Sequence, residues 1–156
     1  MTAALIRPTD IRVLITPELF ARLTDRIAVD HPEHAGHADQ IMEQALAFLA
    51  ACAARPGLAP SETVDIGWHT FILYTREYAE FCQRVAGRFI HHAPNDIPGT
   101  SGEGVTVSAT VQVMHDLGLP VVDELWEHRG SCNSDKCNSG KCHQCHAGCV
   151  DSPKLR

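Results

Sequence analysis

No stretch of this chain approaches the roughly 18 consecutive apolar residues that a membrane span needs, so no membrane partner is expected. Residues 1–20, MTAALIRPTDIRVLITPELF, lack the apolar core and small-residue cleavage site of an export signal, and a cytoplasmic protein is expected. No cluster of Lys and Arg stands out, and 13 basic against 19 acidic residues leave a net charge of −6. That balance argues against an electrostatic footprint for nucleic acid. Also absent are a Gly-rich phosphate loop, a nucleophile elbow and a His-Glu-x-x-His zinc-protease pair. With none of these substrate-recognising motifs present, no catalysis of its own is expected.

What the chain does have is seven Cys and ten His in 156 residues. The length fits one globular domain with a sizeable core. Five of the Cys fall in the last 25 residues, a stretch with net charge +2, which leaves −8 for residues 1–131. The expected organisation is therefore a helical domain over residues 1–129 and a Cys/His-rich metal-binding tail over residues 130–156.

The helical domain reads as an all-α bundle of four to five helices. Thr16 caps and Pro17 opens the first helix, in which Leu19, Phe20, Leu23 and Ile27 repeat at helical spacing until Pro32. A second amphipathic helix runs roughly from His37 to Ala54, with Ile41, Ala45, Phe48, Leu49 and Cys52 on one stripe. The third follows Ser61 as cap and carries Val64, Trp68, Phe71, Thr75, Tyr78, Cys82 and Val85 on one face, with Gly87 as its stop. Cys52 and Cys82 sit in these stripes as small buried hydrophobes. Residues 93–104 form a Pro/Gly/Ser loop. Beyond it, Val105, Val107, Val111 and Val113 alternate like a strand, but Met114 to Pro120 is a strong helix ending and a lone strand would have no partner, so helix is favoured. Asp123 to Trp126 makes one capped turn that closes the core.

In the tail, Cys132, Cys137, Cys142, Cys145 and Cys149 are joined by His143 and His146. A segment this polar cannot offset its ordering entropy by apolar burial, whereas a metal can cross-link it. Cys142-x2-Cys145 is the spacing at which two thiolates of one turn reach a single ion, and zinc asks for four such N or S donors. The others are drawn from Cys137, Cys149, Cys132, His143 and His146. The alternatives are copper(I), an iron–sulfur cluster on Cys137-x4-Cys142-x2-Cys145, and haem on the C-x-x-C-H pattern from Cys142 to His146. A reduced tail without metal, or one closed by disulfides on oxidation, is the plainer reading.

Asp65 and His69 stand four apart on the third helix, where side chains meet and a carboxylate fixes the imidazole tautomer. The plain reading is a local hydrogen bond. Val64-Asp65-Ile66-Gly67-Trp68-His69, continuing to Cys82 and then Phe89-Ile90-His91-His92-Ala93-Pro94, resembles the glycine-rich-domain-containing-protein-like family of helical proteins, most clearly over residues 61–94. Many plant relatives have a second His two places after the first, where this chain has Phe71, and the family's appended glycine-rich region is absent here. The resemblance implies that Asp65, Trp68 and His69 form a signature and that some bacterial relatives share the Cys-rich end; it carries over no activity.

A second candidate metal site draws on Asp65, His69, His91, His92 and His115, with a buried hydrogen-bond cluster as its alternative. His31, His34 and His37 form a further cluster, read as a solvated loop. The function expected is a zinc-binding helical module with a structural or protein-interaction role. The alternatives are a thiol-redox or copper-handling protein using the Cys cluster, and a metal-dependent enzyme centred on His69.

Overall fold

A computed structural model describes residues 10–93, 106–127 and 150–151. Helix α1 (Pro17–Asp30) starts as its sequence dictates: the Thr16 hydroxyl accepts from the Leu19 N–H at 3.2 Å, and Pro17 takes the first turn, where a missing N–H costs nothing. Its buried face carries Leu19, Phe20, Leu23 and Ile27. A 3-10 helix (Pro32–His37) then leads into α2 (Ala38–Ala54). The solvated loop expected around His31, His34 and His37 is thus a helical turn, although none of its residues is buried.

Helix α2 differs from the amphipathic helix expected of it. Ile41, Met42, Ala45, Leu46, Ala47, Phe48, Leu49, Ala51 and Cys52 are all fully buried, so apolar contact surrounds most of its circumference and it is the central element of the core. α1, α3 (Glu62–Leu73) and α4 (Thr75–Ala86) pack around it.

The expected third helix is divided. It begins at the Ser61 cap, whose hydroxyl accepts from the Val64 N–H at 3.1 Å, and it ends at Gly87, which takes a left-handed φ of 67°. Between them the chain breaks at Tyr74 (φ −90°, ψ 64°), where the Arg22 guanidinium lies 4.9 Å from the centre of the tyrosine ring. The break shifts the helical phase. Val64, Trp68 and Phe71 are buried before it and Tyr78, Phe81 and Cys82 after it, while Thr75, expected on the stripe, is exposed. Separating α3 from α4 lets their aromatics meet: Phe71 makes edge contacts with Tyr78 and Phe81 at 5.3 and 5.2 Å. With α5 and α6 this makes six α-helices among the described residues, against the four to five expected.

The preference for helix after residue 105 holds in α5 (Val107–Asp116), capped by Thr106 and closed at Gly118 (φ 69°). The short α6 (Asp123–Trp126) seats Trp126 in the core. Gln44 of α2 organises this end: its amide oxygen accepts from Trp126 Nε1 at 2.7 Å and from the Val122 N–H at 3.1 Å, and its nitrogen donates to the Pro120 carbonyl at 3.3 Å. A buried amide with three such partners costs little to desolvate and fixes the register of the segment it holds.

After α4, Ile90 is buried and residues His92–Ala93 form β1, paired antiparallel with β2 (Val150–Asp151) in the register His92 to Asp151 and Ala93 to Val150. The strand pairing that the sequence argued against thus occurs, at a place other than the Val105–Val113 run. Among the described residues no helix is long and apolar enough to cross a membrane. The boundary expected between 129 and 130 lies outside the described residues, as do Cys132, Cys137, Cys142, His143, Cys145, His146 and Cys149.

Candidate functional site

The first two turns of α3 place Asp65 and His69 on one face by their four-residue spacing. His69 Nδ1 lies 3.1 Å from Asp65 Oδ2 and 3.0 Å from the Asp65 carbonyl oxygen. The other carboxylate oxygen, Oδ1, is 3.0 Å from Nε2 of His92, which enters from β1. One carboxylate therefore bridges two imidazoles from elements 27 residues apart, and the rings themselves lie 4.1 Å apart.

His92 is positioned by more than Asp65. Its ring sits 4.4 Å from that of Trp68, and Trp68 is in turn fixed because its indole Nε1 donates to Tyr78 Oη at 2.8 Å. The Tyr78 hydroxyl donates onward to the Ile90 carbonyl at 2.6 Å, two residues before His92. This relay ties the strand carrying His92 to the helix carrying Asp65. Burial holds the Tyr78 phenol well above the ordinary tyrosine range, so it remains a neutral donor.

Accessibility falls steeply across the cluster. The His69 side chain is 57% exposed, that of Asp65 15% and that of His92 9%. One donor atom from each residue can be chosen so that all three lie within 4.8 Å of one another, and this is the metal-sized group of such donors among the described residues. Donors about 2.0–2.2 Å from a tetrahedral zinc would stand about 3.4 Å apart, a spacing inside that limit. Two imidazoles and a carboxylate are a borderline-soft set suited to zinc.

Of the five residues expected at this second site, three converge. His91 is exposed and contacts Phe89, with ring centres 4.8 Å apart, and His115 is exposed on α5. His91 and His92 are neighbours on extended chain and point to opposite sides, so only one of them can face α3. His31 and His34 approach Glu33 at 3.6 and 4.0 Å and make no metal-sized group. Trp68, placed in the sequence on the core stripe and in the implied signature but not among the site residues, is in ring contact with His92; its place beside His69 on the helix was the available signal.

These features define an all-α protein with an Asp/His cluster at the junction of a helix and a short strand. Residues 10–105 match the UCP032817-like family, an uncharacterised family, and the chain belongs to it. This corrects the resemblance to the glycine-rich-domain-containing-protein-like family. The motif behind that resemblance is short: Val64 and Trp68 are buried in the core, as apolar residues at this spacing are in many helical proteins, and an Asp/His pair four apart is a common local contact, so such a pattern does not distinguish one helical family from another. Asp65, His69 and His92 all fall within the matched segment. No curated protein and no solved structure gives a significant match.

Proposed function

We propose that this is a cytoplasmic zinc-binding helical protein, a structural or protein-interaction module without catalysis of its own. The observation that carries this reading is the convergence of Asp65, His69 and His92, in which a carboxylate contacts both imidazoles at 3.0–3.1 Å. A divalent ion would take the place of the protons now shared between these groups, and its binding would add to folding free energy by joining α3 to β1. The Cys/His tail is proposed as a second zinc ligand set built on Cys142-x2-Cys145. The partner is proposed to be a protein, since the net charge of −6 disfavours nucleic acid.

Metal analysis of the full chain after anaerobic purification tests this. Zinc is expected, with one equivalent lost in His69→Ala and another in a Cys142→Ser/Cys145→Ser double variant. A haem or iron–sulfur spectrum, or several copper(I) ions per chain, would replace the zinc reading. Zinc content unchanged in both variants would end it.

A further inference from the structure

Resting on the proposal that the Asp65–His69–His92 cluster holds a zinc ion, we infer that Asp151 of β2 is its fourth protein ligand, so that the ion joins α3, β1 and β2. The observation behind this is the register of the two strands. They pair antiparallel with His92 directly opposite Asp151. Directly opposite residues of an antiparallel pair share one face of the sheet, with β-carbons about 4.5–5.5 Å apart. His92 is the residue that β1 contributes to the cluster, and its Nε2 stands 3.0 Å from Asp65 Oδ1. The register thus sets an acidic residue beside the strand ligand.

Coordination number and charge both ask for such a residue. A structural zinc is closed by four protein donors, and Asp65, His69 and His92 supply three. Two neutral imidazoles and one carboxylate leave a divalent ion with a net single positive charge. Beside His92, whose side chain is only 9% exposed, that charge is shielded from water and costly unless paired. A second carboxylate brings the net charge to zero, and zinc accepts carboxylate oxygen at much the same distance as imidazole nitrogen.

The strand that carries His92 is anchored without an ion, because Tyr78 Oη donates to the Ile90 carbonyl at 2.6 Å. Its partner β2 spans Val150–Asp151, and two strands paired on their own are marginal in water. A ligand on each strand would secure the pairing through the ion itself.

The test titrates zinc into the full chain against a chromophoric chelator and follows the equivalent that His69→Ala removes. Asp151→Asn keeps the side chain's size and polarity but gives up its charge. It should weaken that equivalent by roughly 100-fold, since losing even a supporting partner of a metal ligand costs roughly 10- to 100-fold. Asp151→His, which supplies a zinc donor in place of the carboxylate, should recover most of the affinity. Unchanged affinity in Asp151→Asn would overturn the inference while the metal reading stands. A loss that Asp151→His fails to recover would also overturn it, by giving Asp151 a part in strand pairing alone. Weakening only of the equivalent that survives in His69→Ala would place Asp151 in the Cys/His ligand set, with the same consequence. If His69→Ala removes no zinc, the cluster holds no ion and both readings fall together.

Discussion

Gly67 faces Ala45 across the contact between α3 and α2 so closely that a β-carbon placed on the glycine would lie 2.7 Å from the alanine's own. It would also meet the Ile41 carbonyl oxygen at 3.0 Å and the Ile41 Cγ2 at 3.3 Å. The glycine in the middle of the Val64–His69 motif is therefore there for helix proximity.

Gly67→Ala should destabilise the protein by about 1–3 kcal/mol through overpacking. That loss should prevail over the ~1 kcal/mol that alanine's better helix propensity would otherwise contribute. Urea unfolding measures it. Gly36→Ala is the control, because a β-carbon there meets nothing within 4 Å and Gly36 has no left-handed backbone. A Gly67→Ala midpoint at or above that of the parent would refute the close-approach argument.

Tyr78→Phe should cost about 1–3 kcal/mol, since it leaves the buried Ile90 carbonyl without its hydroxyl donor and Trp68 Nε1 without its acceptor. The phenol also has a pH signature. Its ionisation is raised above that of an unfolded tyrosine, so its contribution is fully present below about pH 10 and is lost progressively as pH rises beyond that value. Stability curves of the parent should fall more steeply on the alkaline side than those of Tyr78→Phe. Parallel curves would count against a buried neutral phenol.

Ser61 serves two elements at once. Its hydroxyl caps α3 by accepting from Val64 and donates to the Leu125 carbonyl at 2.5 Å. Ser61→Ala should therefore exceed the ~1 kcal/mol of a simple cap deletion. Hydrogen exchange should show faster opening in both the first turn of α3 and α6; an effect confined to α3 would mean the Leu125 contact contributes nothing.

If the cluster holds an ion, Trp68 should sense it, being in ring contact with His92. In a Trp126→Phe background, leaving Trp68 as the sole indole, cobalt(II) should quench the emission, and His69→Ala should abolish the quenching. Undiminished quenching in that variant would place the ion elsewhere.

Helix limits were legible in the sequence because caps are local. Thr16, Pro17, Ser61 and Gly87 each act through their own backbone neighbours, and each is found at the boundary assigned to it. The break at Tyr74 was not legible, for it contains neither Pro nor Gly and both flanking segments keep a helical period. It arises where Arg22 covers the tyrosine and Phe71, Tyr78 and Phe81 come together, and only the folded chain supplies those contacts. Asp65 and His69 could be paired from spacing. Choosing His92 over His91 required the strand's parity, which no local pattern discloses. The Cys spacing of the tail is plain in the sequence, and its chemistry stands as a proposal.

The hydrogen bonds of Gln44 bear on how this family's segment can be handled in isolation. The matched stretch ends at residue 105, yet Pro120, Val122 and Trp126, the three partners of that buried amide, all lie after it. A recombinant fragment cut at the family limits would retain the Asp65, His69 and His92 triad but uncover the middle of α2, leaving Gln44 without these partners and Phe48 without the Trp126 ring that lies 6.3 Å from it. Such a fragment should be aggregation-prone, and expression work on this chain should extend at least through Glu127.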